Sequence, residues 1–324
     1  MEDIFLNNLV EFKMYLYIIG YKNKGESIIF ILREKNEIYF SSIIDSYKRS
    51  DCEIIKKILE EEHKLEKFNY IFWTHPHEDH STGLEEIVAN YSNEKTVFIT
   101  PQYVELSKKN LNAKEKQVLK KMIKNAGKYK YQKTFVNDGG ENLIFEQDFI
   151  SISEGQRFSF TIKSLAPHSG VLEEIRKKSK RKVNDFSICL KFELSSKELG
   201  VSYSILLTGD IENKTIELLN KKKLKEINLL KIPHHASATS DILAEKIEND
   251  TPNQMIACTT SYKTGNLPKR EVLQNYLKNY EDIIILGKEK EDNDCDYGVL
   301  TLEGDLKKFE MTYYLDGLYE KYGK

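Results

Sequence analysis

Short runs of apolar residues, rich in β-branched and aromatic side chains, recur along the first hundred residues. Residues 14–19, 27–32 and 37–44 are such runs, and this pattern is typical of β-strands. The apolar positions of residues 54–62 instead have helical spacing. Residues 70–73 form a further apolar run that ends directly at a cluster of histidines. The first part of the chain is therefore predicted to combine several strands with a helix.

The same rhythm returns in the second half of the chain. Further strands are predicted at residues 158–162, 187–192, 203–208 and 227–232. No low-complexity linker interrupts the pattern, so we predict one α/β domain over residues 1–324, with two sheets and helices outside them. Two segments differ from the rest by their charge: a lysine-rich, mostly helical one near residues 103–133 and a basic loop near residues 170–184.

Composition is typical of ordinary globular proteins. Apolar residues make up 40% and charged residues 31% of the chain, which excludes the disordered and fibrous classes. No apolar run approaches the roughly 20 residues of a membrane helix, and the N-terminus opens on Glu2 and Asp3 rather than on a basic stretch. We therefore expect a cytoplasmic protein with no membrane partner. The four cysteines are far apart, which predicts neither a disulfide framework nor a cysteine zinc site.

Four side chains of metal-binding types follow the strand at residues 70–73. They are His75, His77, Asp79 and His80. In extended backbone, residues i and i+2 point the same way, so His75 and His77 can hold one ion together. Asp79 and His80 come from the bend that follows and can face a neighbouring position. Burying several imidazoles and carboxylates together is favourable only if cations offset them, so the cluster predicts a metal site.

Two later strand ends have the same design. Gly209-Asp210 ends one strand, and its carboxylate can bridge two metals with its two oxygens. Pro233-His234-His235 ends another. Because successive side chains alternate in extended backbone, we expect one of these histidines to bind metal and the other to face the substrate or a supporting partner.

Taken together, these motifs resemble the metallo-β-lactamase superfamily. The closest variant is the hydrolase domain of ComEC-type DNA-uptake proteins and its stand-alone relatives. The similarity rests on the His-x-His-x-Asp-His run, on residues 206–210 and on residues 233–237, where Ala236 replaces a glycine. Asn184 to Ser187 and Ile44-Asp45 are similar to two further elements of that branch. The resemblance implies an αββα sandwich of two mixed sheets with helices on the outer faces.

The resemblance also implies a ligand set. It assigns His75 and His77 to a first metal, Asp79, His80 and His234 to a second, and Asp210 to a bridge between them. His168 is the candidate for one more ligand of the first metal, and Asp45 would orient a ligand histidine. Asp79 and His235 would be catalytic, with His235 protonating the leaving group or stabilising its charge. The residues implied to contact the substrate are Asn184, Ser187 and Ser237. One departure is Gly265-Asn266-Leu267-Pro268, where the branch often has Gly-His-Pro.

The implied chemistry is hydrolysis by a hydroxide that two divalent metal ions activate. Zinc is favoured, and ligands with only nitrogen and oxygen also admit manganese or iron. The net charge of −2 argues against a general polycation, yet residues 176–182 hold six basic residues in seven. A basic segment near the site would attract an anionic substrate, although a solvated lysine-rich surface explains it as well. We therefore predict a phosphodiesterase or nuclease acting on nucleic acid or nucleotides. The alternatives are a hydrolase of thioesters, lactones or other acyl compounds, and a metal-binding component of a defence or signalling assembly.

One histidine outside these motifs, His63, is in a charged helical stretch. We expect its side chain to be solvated.

Overall fold

The computed structural model describes residues 3–6, 11–49, 52–104, 108, 111–126, 130–137, 140–152, 155–177, 182–248, 255–289 and 295–323. The strands are β1 (Ile4–Leu6), β2 (Phe12–Tyr21), β3 (Glu26–Glu34), β4 (Glu37–Ile44), β5 (Tyr70–Phe72), β6 (Val97–Pro101), β7 (Lys130–Thr134), β8 (Asn142–Ser151), β9 (Arg157–Ala166), β10 (Cys189–Ser196), β11 (Val201–Leu207), β12 (Leu229–Lys231), β13 (Ile256–Thr260), β14 (Asp282–Leu286), β15 (Tyr297–Asp305), β16 (Glu310–Gly317) and β17 (Tyr319–Gly323). The α-helices are α1 (Ile54–Lys56, continued by a π-helix at Lys57–Glu62), α2 (Leu84–Asn90), α3 (Ala113–Ala126), α4 (Ser169–Lys177), α5 (Asn213–Leu218), α6 (Leu243–Lys246) and α7 (Arg270–Tyr276). Within the described ranges, no helix is long and apolar enough to cross a membrane.

The strands form two mixed sheets. One has the order β1-β8-β9-β10-β11-β12-β13-β14-β17, and the other has the order β16-β15-β2-β3-β4-β5-β6-β7. Each sheet contains antiparallel strands followed by a set of parallel strands. The parallel strands are β11 to β14 in the first sheet and β4 to β7 in the second. The predicted α/β class with two sheets is confirmed.

The two sheets pack against each other through an aromatic core. Phe30 of β3 stacks on Phe160 of β9, with ring centroids 5.1 Å apart, and meets Phe192 of β10 edge-on at 5.0 Å. Successive side chains of a strand point to opposite faces, so the neighbours of Phe30, Ile29 and Ile31, pack instead against the layer that contains α2 and α3. Burial on both faces explains why these strands appear as continuous apolar runs.

The parallel strands bring several loops to one edge. Asp45 follows β4, residues 73–83 follow β5, Thr208 to Asp210 follow β11, and residues 232–237 follow β12. The carboxyl ends of parallel strands lie side by side, so loops that leave them are neighbours in space. The polar motifs of the sequence therefore meet where the two sheets present these ends.

The charged segments differ in part from their predictions. The lysine-rich segment near residues 103–133 is helical over Ala113–Ala126 and becomes strand β7 at Lys130. The predicted basic loop near residues 170–184 is wrong for its first half, because α4 covers Ser169–Lys177. The rest of its basic run, residues 178–181, lies outside the described residues.

His63 is buried rather than solvated, because two strands of the sheet supply it with partners. Its Nε2 lies 2.7 Å from the Tyr17 hydroxyl, which donates to Glu62, and its Nδ1 lies 3.0 Å from the guanidinium of Arg33. A guanidinium only donates, so Nδ1 accepts and the imidazole is neutral. Burial, aided by the charge of Arg33, lowers the pKa of His63 from its ordinary value of 6.5 to about 4.

We therefore expect acidification to destabilise the protein through His63. The unfolded chain takes up this proton near pH 6.5 and the folded chain only near pH 4, so the contribution is complete above pH 6.5 and is lost as pH falls from there to 4. The His63→Gln variant keeps one donor and one acceptor without titrating. The free energy of unfolding, measured by denaturant at pH 7 and pH 5, should fall less in this variant than in the wild type. Equal falls in both proteins would contradict the assignment.

Candidate metal centre

Asp210 lies at the middle of the polar cluster. Its Oδ1 is 3.3 Å from His80 Nε2, and its Oδ2 is 3.7 Å from His75 Nε2. The preceding Gly209 has a φ of 51°, and a Cβ there would come within 2.6 Å of the Ser187 hydroxyl. Glycine is therefore needed to turn the chain so that the carboxylate enters the cluster. Each oxygen of Asp210 thus faces a different histidine.

Two groups of potential ligands share this carboxylate. One consists of Asp79, His80, Asp210 and His235, and we call it the inner group because all four side chains are buried. The other consists of His75, His77 and Asp210, and we call it the outer group because His77 is partly exposed. In each group the ligand atoms lie within 4.8 Å of one another, so each can hold a metal ion.

A left-handed turn lets the adjacent histidines approach the same centre. His234, His235 and Ala236 have φ values of 49°, 52° and 58°, a conformation that costs a non-glycine residue about 1–2 kcal/mol. Backbone strain of this kind is concentrated at functional sites. The third of these positions, Ala236, is the one where the resembling branch has glycine, which adopts this conformation without strain.

The two histidines occupy the reverse of their expected places. His235, expected to face the substrate, is buried in the inner group with its Nε2 3.1 Å from Asp79 Oδ2. His234, expected in that group, lies at its edge, with Nε2 4.0 Å from Asp210 Oδ2 and 3.3 Å from Asn184 Nδ2. The alternation argument assumed extended backbone, and the left-handed turn removes that assumption. The geometry favours His235 as the inner ligand.

The other predicted site residues have diverse positions. His168 is fully buried and belongs to none of the ligand groups found among the described residues. Ser187 is also fully buried and accepts a hydrogen bond from the Asp210 amide, so it lies beneath the site rather than on a substrate-facing surface. Asn184 is buried beside His234 and is not among the residues that line the pocket leading to the site. The Ser237 hydroxyl accepts from the Thr239 amide and begins a short turn, and its contact with substrate stays a prediction.

Asp45 fixes two of the histidines, as the resemblance implied for one. Its Oδ2 lies 2.7 Å from His80 Nδ1 and 2.5 Å from the Thr74 hydroxyl. That hydroxyl donates to the carboxylate, so its oxygen accepts from His75 Nδ1, 3.0 Å away. Both imidazoles therefore carry a hydrogen on Nδ1 and turn Nε2 toward Asp210.

His235 has an equivalent support that the sequence did not reveal. Its Nδ1 lies 2.7 Å from the hydroxyl of Thr260, which donates to the buried carboxylate of Glu26. Glu26 begins a strand and Thr260 ends one. Polar residues are common at the ends of strands, so neither residue is conspicuous in the sequence. A hydrogen bond between residues 234 positions apart leaves no local pattern in a single sequence.

The buried atoms of the inner group match a bound cation. Within the described part of the chain, His80 Nε2 and Asp210 Oδ1 are buried without a hydrogen-bond partner, although they lie 3.3 Å apart. A nitrogen lone pair and a carboxylate oxygen at this distance repel each other unless a proton or a metal ion lies between them. Imidazole and carboxylate are ligands that zinc, manganese and iron accept. The residues present therefore fit a metal ion.

The proton balance of the cluster supports the same conclusion. Burial alone would lower the pKa of His80, but the carboxylates of Asp210, Asp79 and Asp45 together raise it well above its ordinary range. Burial would raise the pKa of Asp210, and the neighbouring histidines led by His80 instead hold it well below its ordinary range. Without a metal, a proton on His80 thus offsets the carboxylates, and a metal ion would displace it.

An open pocket leads to the two groups. It is lined by His77, Glu78, Asp79, Asn112, Glu115, Asp210, His234, His235 and Tyr262. The ring of Tyr262 stacks on that of His235, with centroids 4.9 Å apart and planes at 13°. Burial raises the pKa of the Tyr262 hydroxyl to about 12, so it is a hydrogen-bond donor at neutral pH. Sequence reasoning missed Tyr262, which follows the end of β13 as an isolated aromatic residue.

Comparison with known proteins adds no further assignment. No protein-family model matches the chain, and no curated protein matches it.

Proposed function

We propose that this chain is a metal-dependent hydrolase of the metallo-β-lactamase fold, with two divalent cations, zinc in the first instance, and a phosphodiester as its substrate. The observation that carries the proposal is Asp210, which lies between two groups of histidines with one oxygen toward each. Two packed sheets with further apolar layers on their other faces agree with the αββα arrangement of that superfamily.

Charge balance favours two ions over one. Among the described residues, four buried carboxylates belong to the two groups or to the hydrogen-bond chains that orient their histidines, namely Glu26, Asp45, Asp79 and Asp210, and one of them is balanced by the ammonium of Lys231. Uncompensated buried charges are strongly unfavourable. One divalent ion would leave a negative charge on this set of residues, whereas two ions together with one hydroxide would make the set neutral.

When bound, the ions would lower the pKa of a water molecule and polarise the scissile bond. The chain's own residues would orient and protonate the substrate. His234 lies partly exposed at the rim, with Nδ1 3.0 Å from the Thr239 hydroxyl, and its other nitrogen faces the cluster. It is thus placed to donate a proton to a leaving oxygen. Tyr262 lines the pocket and can donate a hydrogen bond to the substrate.

Metal content and turnover test the function directly. Purified protein should contain close to two equivalents of metal, and it should hydrolyse bis(p-nitrophenyl) phosphate and at least one of DNA, RNA and cyclic nucleotides. A thioester and a lactone complete the panel. Turnover of the acyl substrates alone would replace the phosphodiester assignment, and bound metal with no turnover on any substrate would indicate a binding component. Absence of bound metal after reconstitution would overturn the proposal.

A row of lysines near the pocket favours a polyanionic substrate. Lys116, Lys120 and Lys124 lie on one exposed face of α3, spaced over about 12 Å of helix. Among the described residues, none of the three has an acidic partner, whereas Lys121 pairs with Glu85. The amino-terminal end of α3 lines the pocket through Glu115. A nucleic-acid backbone leaving the site can therefore follow this row.

Reversing the charge of this row should weaken nucleic-acid cleavage. For the variant K116E/K120E/K124E we expect kcat/KM on a polynucleotide to fall about tenfold or more at low salt. The slope of log kcat/KM against log salt concentration should become less steep by about 2, as expected for the loss of about two phosphate contacts. Hydrolysis of the small bis(p-nitrophenyl) phosphate should be unchanged. The control K95E/K197E/K278E changes net charge equally, at residues near the strand ends away from the site. Equal losses in both variants would show only a general effect of charge.

A further inference from the structure

A buried ion pair lies behind the inner group. Glu26 Oε2 and Lys231 Nζ are 2.8 Å apart, and both side chains are almost completely buried. Neither residue lines the pocket that leads to the site. Lys231 also lies 3.3 Å from the carbonyl oxygen of Ile232. Buried ion pairs contribute little net stability compared with apolar residues of similar size, so stability alone does not explain this pair.

The pair is connected to His235 by one hydroxyl. Thr260 Oγ1 lies 2.5 Å from Glu26 Oε2 and 2.7 Å from His235 Nδ1. A hydroxyl has one hydrogen, and the charged carboxylate can only accept, so that hydrogen goes to Glu26. The Thr260 oxygen must then accept from His235 Nδ1. The direction of the whole chain is set by the charge on Glu26, which the ammonium of Lys231 balances.

We propose that the Glu26–Lys231 pair, acting through Thr260, is a positioning device that fixes the tautomer of His235 and thereby determines metal affinity at the inner group. The inference rests on the proposed metal centre. It adds the residues that allow the inner group to bind its metal ion. His235 Nδ1 then keeps its hydrogen, directed at Thr260, so that a metal ion can replace the hydrogen bond that Nε2 donates to Asp79 Oδ2. If Glu26 were neutral, Thr260 could donate to His235 instead, and the ring would have to keep its hydrogen on Nε2, where it would occupy the metal position.

The outer group has no such dependence. His75 is oriented through Thr74 and Asp45, and among the described contacts none joins it to Thr260. The proposal therefore predicts a selective effect, in which one of two metal affinities changes. A general loss of packing would alter both.

The experiment compares three substitutions on one strand by zinc titration against a chromophoric chelator. Thr260→Val should weaken one of the two zinc affinities about 10–100-fold and leave the other unchanged. Thr260→Ser, which keeps the hydroxyl, should restore it. Thr259→Val is the matched control, because the buried Thr259 hydroxyl has no hydrogen-bond partner within the described residues, and both affinities should match the wild type.

A second variant covers the case in which Thr260→Val fails to fold. The double variant E26Q/K231M removes both charges together, and an amide can either donate or accept, so the direction of the Thr260 hydrogen bond is no longer set. It should show the same selective loss. Two wild-type affinities in either folded variant would overturn the inference. Wild-type protein that binds no zinc would instead overturn the metal centre itself.

Discussion

Replacing Asp210 by Asn should lower turnover about a thousandfold and weaken the binding of both metal ions. The carboxylate is the one side chain that the inner and outer groups share, and an amide offers a weaker, neutral oxygen to one side and an N–H donor to the other. Loss of several kcal/mol of charge stabilisation corresponds to a fall of about a thousandfold in kcat/KM. Metal content, measured by mass spectrometry, should fall from two equivalents to less than one.

A stability measurement separates this effect from misfolding. A ligand that binds only the folded state at a hundredfold excess over its Kd stabilises it by about 2.7 kcal/mol. Added zinc should therefore raise the melting temperature of the wild type and leave that of Asp210→Asn almost unchanged. Asp282→Asn makes the same chemical change at an exposed strand start and should respond as the wild type does. If Asp210→Asn kept both ions, the two groups would not share a ligand and the proposed centre would be wrong.

The second large effect is expected from Asp45→Asn, although Asp45 is not itself expected to touch the metal. Its carboxylate accepts from the Thr74 amide at 2.7 Å as well as from the Thr74 hydroxyl and His80. An amide at this position must either turn its NH₂ toward His80, which moves the imidazole hydrogen to the metal-facing nitrogen, or lose a bond to Thr74. We expect metal affinity and kcat/KM to fall about a hundredfold.

Thr74→Val is the companion variant, because it interrupts only the path from Asp45 to His75. It should weaken zinc binding at the outer group and leave the inner group close to the wild type, whereas Asp45→Asn should weaken both. Competition titration resolves the two affinities. If Asp45→Asn retained both, the hydrogen bonds of Asp45 would have no part in metal binding.

Several features of the site were accessible from local sequence. The arrangement of the run from His75 to His80 could be predicted from local sequence. A short strand ends at Phe72, and in the extended chain that follows, His75 and His77 point to the same side. Asp210 could be identified because a glycine and an apolar strand precede it. Asp45 was identified through the resemblance alone. The apolar runs likewise predicted most strands and the two-sheet α/β class.

The roles of His234 and His235 could not be decided in this way. Their assignment depends on a left-handed turn, and local sequence does not specify that turn, since it requires the surrounding structure to hold strained φ values. The burial of His63 could not be predicted from local sequence either. Its neighbours in sequence are charged, and its burial is due to Tyr17 and Arg33 on other strands.

The sequence by itself determined the ligand types, their position at strand ends and the alternation that builds two sheets, because each is encoded within a few consecutive residues. Only the tertiary structure decided which histidine enters the inner group and which oxygen atom accepts a hydrogen bond from its ring. Those choices depend on contacts such as that between Glu26 and Thr260, across 234 residues of chain. The packing of parallel strand ends creates such contacts, and no local pattern of polar and apolar residues carries them.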